Sequence, residues 1–260
     1  MPPDVIVPAW GIPENVRALQ TTRHGGVSRG PWAALDVGDH VGDDPAAVAA
    51  NRASLRSLLP AEPAWLRQVH GTVAVDAAEA AEMPGADASW TRRPGVVCAV
   101  MTADCLPVLL CDREGSVVAA AHAGWRGLLG GVIESTIAAM GAAPANLLAW
   151  LGPAIGPDAF EVGDEVRDAF LAADAGAAEA FVPVRAGKWL CDLPGLARRR
   201  LAATGVTAVA GGAEILDFPD GQQGEAQLAH APDQRHAGLR LPGNPALDRL
   251  EHRSEGFIQI

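Results

Sequence analysis

The chain has 260 residues, 49% of them hydrophobic and 20% charged, so it can bury a large core and its composition excludes wholesale disorder. Twenty Lys and Arg stand against thirty-one Asp and Glu, a net charge of −11 that repels nucleic acid and anionic membranes. The start, Met1-Pro2-Pro3-Asp4, lacks a basic stretch followed by a long apolar run, and no run is long enough to span a membrane, so a cytoplasmic protein is expected. Four cysteines, Cys98, Cys105, Cys111 and Cys191, have neither C-x-x-C spacing nor disulfide-scaffold density, which fits reduced thiols.

In chain order, residues 16–34 are rich in Gly and polar side chains and predict a loop presenting Arg23 and His24. Asp43-Asp44-Pro45 opens a helix that runs to about Leu59, with an acidic start and an early proline. Trp65 to Val69 predicts a short extended run that breaks at His70-Gly71, with Val73-Ala74-Val75 as its continuation or partner. The densest β signal comes next, in Gly95–Thr102, Val108–Cys111 and Ser116–Ala121, with Asp112-Arg113-Glu114-Gly115 as the turn. A helix over Leu128–Met140 places Leu129, Val132, Ile133, Ile137 and Met140 on one stripe. Leu147–Leu151 reads as a buried strand, 164–173 and 193–204 as helices, and 206–209 as a strand. Arg198-Arg199-Arg200 belongs to the second of those helices as a solvated face. Apolar periodicity fades over residues 211–260, which predicts weak structure there. The whole, 1–260, reads as a single α/β domain without internal repeats.

The hairpin carries a geometric expectation. If Cys111 closes the turn against Ser116, Cys105 falls opposite His122, with Cβ atoms about 4.5–5.5 Å apart. That separation suits a shared metal ion or a thiolate–imidazole hydrogen bond. Pro107 cannot donate to the ladder and marks the place where a bulge would shift this pairing. A core cysteine and a surface histidine are the plainer readings of each residue alone. Asp104, beside the cysteine, is a candidate general acid or base. Beyond His122, the run Ala123-Gly124-Trp125-Arg126-Gly127 leads into the helix, so Arg126 could pair with an anion or sit in a structural ion pair.

Arg67-Gln68-Val69-His70-Gly71, Thr102-Ala103-Asp104-Cys105-Leu106-Pro107 and His122-Ala123-Gly124-Trp125-Arg126-Gly127 resemble the three signature motifs of the YfiH family. These are also called laccase-domain or multicopper polyphenol oxidase-like proteins. Thr21-Thr22-Arg23-His24-Gly25-Gly26-Val27-Ser28, Gly38-Asp39-His40-Val41-Gly42-Asp43 and Gly152-Pro153-Ala154-Ile155-Gly156-Pro157 extend the likeness, which covers residues 9 to 210. The resemblance implies a three-layer α/β fold, with mixed sheets flanked by helices, of the type shared with cysteine-hydrolase-like CNF toxins. It further implies zinc, or copper, bound by His70, Cys105 and His122, and it alone brings His70 to the other two.

Members are associated with phosphorolysis of adenosine, inosine and methylthioadenosine, with adenosine deamination, with a polyphenol oxidase label and with peptidoglycan editing. On this resemblance Cys105, His122 and Asp104 are catalytic candidates, and Arg23, His40, Gln68 and Arg126 are candidates for binding nucleoside and phosphate. A multicopper laccase needs many histidines, commonly in His-x-His pairs, and this chain has seven and no such pair. Three mixed N and S ligands suit zinc with an open fourth position. A metal-free Cys–His hydrolase and a non-enzymatic zinc-binding protein are the alternatives, in a monomer or small homo-oligomer. Family members close with an aromatic, arginine-rich segment that residues 213–260 lack, as a divergent tail or a changed reading frame would produce.

Overall fold

The structure, a computed structural model, describes residues 3–212 and 256–259. A six-stranded mixed sheet holds the site. Its backbone is β7 (Leu106–Asp112), buried at every residue, which pairs antiparallel with β8 (Val118–Ala123) on one side and β9 (Leu147–Leu151) on the other. A strand covered on both faces has no reason to alternate polar with apolar, and Leu106 to Cys111 is accordingly a continuous nonpolar run. β8 continues to β5 (Ala88–Thr91) and β4 (Ala74–Asp76), and β9 is flanked by β13 (Ala208–Gly211) in parallel.

On one face, Leu106, Val108 and Leu110 join Ala119, Ala121 and Ala123 under α2 (Trp125–Gly130), α3 (Val132–Met140), α4 (Asp164–Ala173) and α5 (Leu193–Thr204). The alanines of β8 allow the helices to approach closely. The opposite face, with Leu109, Cys111, Val118, Ala120, Leu148 and Trp150, packs on a second sheet. That sheet has the order β1 (Val5–Ile6), β2 (Val16–Thr21), β14 (Gly256–Gln259), β6 (Val97–Ala99) and β3 (Pro63–Ala64). Leu19 and Val97 point outward from it onto Leu55 and Leu59 of and after α1 (Pro45–Arg56). A small antiparallel sheet of β10 (Glu161–Gly163), β12 (Lys188–Cys191) and β11 (Phe181–Arg185) completes the described chain. The α/β class with mixed sheets flanked by helices is as expected.

Several elements differ from the sequence reading. Residues 16–21, expected within a loop, form β2, because Val16 and Ala18 pack toward the first sheet while Leu19 packs toward α1. Val73–Val75 does not extend Trp65–Val69; β4 pairs with β5 in the other sheet. The helix expected over 128–140 is two helices, broken where Gly131 takes φ 100 and caps α2. The hairpin register is displaced by two residues: Cys111 faces Val118 and His122 faces Pro107. Asp112 causes this, since its carboxylate accepts from the Ser116 and Val117 backbone N–H groups and builds a longer turn. The ladder passes Pro107 without a bulge. Most of the 211–260 segment lies outside the described residues; Gly211 ends β13, and 256–259 run parallel between β2 and β6.

Candidate metal centre

Because side chains repeat every two residues along a strand, a displacement by two keeps Cys105 on the His122 face. The two become diagonal neighbours, with Cys105 one residue ahead of β7 and His122 near the end of β8. His70 reaches them from the connection between β3 and β4. The His70 and His122 rings meet edge to face with centroids 4.8 Å apart, and His70 Nε2 is 3.9 Å from Cys105 Sγ. One donor atom from each of the three residues lies within 4.8 Å of the others, a group able to hold a metal among the described residues. His122 is buried, Cys105 half-buried and His70 exposed, so the cluster opens outward along His70.

The donor set fits zinc. An ion about 2.0–2.3 Å from each ligand holds N and S donors about 3.5 Å apart, close to the 3.9 Å between His70 and Cys105. Gly124 provides the floor: a Cβ built there would sit 2.8 Å from Cys105 Sγ, 3.0 Å from His70 Cδ2 and 3.6 Å from His122 Nε2.

Asp87, absent from the sequence reading, supports the cluster from behind. It directly precedes β5, and His122 N–H donates to its carbonyl at 2.7 Å, so the two residues are opposed across the strands. Asp87 Oδ1 lies 2.9 Å from His122 Nδ1; a carboxylate only accepts, so Nδ1 carries the proton and Nε2 is left to face Cys105. The signal available was an acid inside the small, apolar run Ala86-Asp87-Ala88, a place where carboxylates occur only when paired.

Electrostatics separate Cys105 from the other thiols. Burial pushes Cys98, Cys111 and Cys191 up to about 12. Burial would raise Cys105 too, but hydrogen bonds and charge from His122 and His70 bring it down to about 7. Burial would lower His122, but the hydrogen bonds to Asp87 and Cys105 lift it to about 9. Desolvation works to raise Asp87, and its hydrogen bonds from His122, Gly71 and Val69 outweigh that and hold it below the usual carboxylate range. Burial raises Asp104.

The other candidates fall in different settings. Gln68 donates to the Met101 carbonyl at 2.8 Å and accepts from its N–H at 2.7 Å, which ties the His70 segment to the approach to Cys105. Arg23 Nε donates to the Ala33 carbonyl at 2.8 Å. His40 is exposed beside Asp39, with 3.5 Å between Nδ1 and Oδ1. Arg126 is exposed, its guanidinium 4.2 Å from the Trp125 ring centroid. The Arg198–Arg200 run is not a bare solvated face: Arg199 pairs with Asp174 and Arg200 with Glu134.

The family model described as multi-copper polyphenol oxidoreductase laccase matches residues 17–214. A purine nucleoside phosphorylase of Pseudomonas aeruginosa is 56% identical over 208 residues, 80% of this chain and 86% of that protein. The purine nucleoside phosphorylase YfiH of Escherichia coli is 53% identical over 211 residues, with the same shares covered, 80% and 86%. In three dimensions, a Neisseria meningitidis protein of the DUF152 family superposes with a TM-score of 0.79 at 53% identity, over 81% of this chain and 87% of that one. The chain therefore belongs to the laccase-domain family of YfiH proteins.

Proposed function

We propose that the protein is a zinc-dependent purine nucleoside phosphorylase acting on adenosine, inosine and S-methyl-5'-thioadenosine, with adenosine deamination in the same pocket. The observation that carries this reading is the convergence of His70, Cys105 and His122 in a chain whose relatives are named purine nucleoside phosphorylases. When bound, zinc supplies a Lewis acid that polarises an oxygen ligand or acidifies water. Phosphorolysis requires phosphate oxygen to attack the ribose C1′ while the bond to the purine nitrogen breaks and the base takes a proton. Asp104, next to Cys105 in the chain, is the candidate for that proton; burial raises its carboxyl above the usual carboxylate range. Arg126 and Arg23 are assigned to the phosphate, whose oxygens a guanidinium meets in paired hydrogen bonds. Gln68, tied to the Met101 backbone, and His40 are the remaining substrate-binding candidates. Four free thiols suit the cytoplasm.

A second reading has its own observation. Without metal, Cys105 at about 7 beside His122 at about 9, with Asp87 on Nδ1, is a thiolate–imidazolium pair with an orienting carboxylate, the arrangement of a thiol hydrolase. Peptidoglycan precursor editing would use that chemistry. A multicopper oxidase is disfavoured by seven histidines without a His-x-His pair.

Incubation of the pure protein with adenosine and phosphate, with ribose 1-phosphate, adenine and inosine quantified, tests the proposal. Base release dependent on phosphate is expected, and Cys105→Ala should lose both turnover and the zinc, present at one per chain in the unaltered protein. Absence of turnover with zinc at full occupancy would instead favour a zinc-binding protein without this activity. Phosphate-independent hydrolysis surviving chelation would favour the thiol reading.

A further inference from the structure

Asp87 is fully buried, yet each of its oxygens is engaged twice. Oδ1 accepts from the His70 backbone N–H at 2.9 Å and from His122 Nδ1 at 2.9 Å. Oδ2 accepts from the Val69 N–H at 3.1 Å and the Gly71 N–H at 2.7 Å. Three successive N–H groups turned toward one carboxylate form a small anion-binding concavity. His70, the middle residue, adopts φ 57, a left-handed conformation that a histidine rarely takes and that needs support from its surroundings. The support is Asp87, and the same carboxylate reads the ring of His122 on the neighbouring strand.

We propose that Asp87 is the positioning residue of the metal centre, one carboxylate that presets both imidazole ligands by clamping the backbone of His70 and fixing the tautomer of His122. This rests on the reading of His70, Cys105 and His122 as a metal site. The two actions are distinct: the backbone clamp aims His70 at Cys105, and the Nδ1 bond makes Nε2 the His122 nitrogen turned toward the cluster. Asp87 is not one of the three donor residues.

Asp87→Asn keeps the shape but replaces one acceptor oxygen with an NH2 group. That group then confronts either the Val69 and Gly71 N–H donors or His122 Nδ1, and in the second case it favours the wrong tautomer. Asp112→Asn is the control for losing a buried carboxylate charge: Asp112 is also buried, at the far end of β7, and the Asn amide oxygen can keep the Oδ1 position that accepts from the Ser116 and Val117 N–H groups, so the turn and register are retained. Zinc affinity is measured by competition with a chromogenic chelator, and the cobalt-substituted full chains are compared by absorption in the ligand-field region. Asp87→Asn should bind zinc about 10–100-fold more weakly and change the cobalt spectrum, whereas Asp112→Asn should do neither. Unaltered protein that binds no zinc overturns the metal reading and this proposal with it. Unaltered protein that binds zinc, with Asp87→Asn equal to it in affinity and spectrum, overturns the role of Asp87 alone, as does an equal loss in Asp112→Asn. Should Asp87→Asn fail to fold, nitrogen-15 spectra of histidine-labelled, zinc-loaded unaltered protein decide: Nδ1 of His122 protonated and Nε2 ligating is expected, and ligation through Nδ1 overturns the proposal.

Discussion

A methyl group at position 124 has nowhere to go without touching all three candidate ligands. Gly124 has φ −62, so alanine meets no backbone strain and would, on chain entropy alone, stabilise the fold by about 0.4–1 kcal/mol. Gly124→Ala therefore separates folding from metal binding. The metal-free variant should melt within a few degrees of the unaltered chain, while zinc affinity measured by chelator competition falls at least about tenfold, as misplaced ligands do. Unchanged affinity would mean that the cluster does not close on an ion in the geometry described. Of these residues, Cys105 and His122 were legible as a pair because strand periodicity survives the displaced register. His70 came only through the motif likeness. Asp87 was not legible, because a single acid carries no spacing signal until the strand opposite it is known, and β5 itself was missed within the short run Ala88–Thr91.

Among the elements, α1 secures the loop that follows β2. Asn51, fully buried on the helix, accepts from the Val27 N–H at 2.8 Å and donates to Ser28 Oγ at 2.8 Å and the Asp36 carbonyl at 2.7 Å. One amide thus ties Val27, Ser28 and Asp36 of that loop to the helix. Asn51→Ala removes the side-chain partner of a part-buried N–H and a part-buried carbonyl, each loss costing toward the lower end of about 1–3 kcal/mol, so a loss of roughly 3 kcal/mol is expected. At about 2–4 °C per kcal/mol for a chain of this size, the melting temperature should fall by about 6–12 °C in calorimetry. A fall under about 2 °C would show that the loop does not depend on this residue. The sequence reading placed the helix correctly, from Asp44, whose side chain accepts from Ala46 N–H, and Pro45. It could not see Asn51 as an anchor, since an Asn in an Ala-rich helix looks like an exposed polar position. It also mistook β2 for loop, for a related reason: a strand buried between two layers loses the alternation that identifies one.

For the whole molecule, the class was legible from the buried runs of β7 and β9 and the helical stripes after them, but the pairing was not. Turn length decides register, and the Asp112 side chain, not the glycine spacing, sets that length. The assembled layers explain why a metal should matter to global stability. The three candidate ligands come from the β3–β4 connection, the residue before β7 and the end of β8, so a single ion held by them would tie together segments that are separate in sequence. A ligand that binds only the folded state, at about 1,000 times its Kd, adds about 4 kcal/mol. With about 2–4 °C per kcal/mol, zinc at that excess should raise the melting temperature by roughly 8–16 °C over the chelated protein. The increment should be restored by returning zinc and should be lost in Cys105→Ala, whose metal-free form should melt close to the metal-free unaltered chain, since Cys105 is half-buried at the cluster and not part of either core. If complete removal of zinc, checked by elemental analysis, left the melting temperature where it was, the ion would not be bridging these strands, and the three side chains would have to be read as the dyad of a thiol enzyme with a histidine beside it.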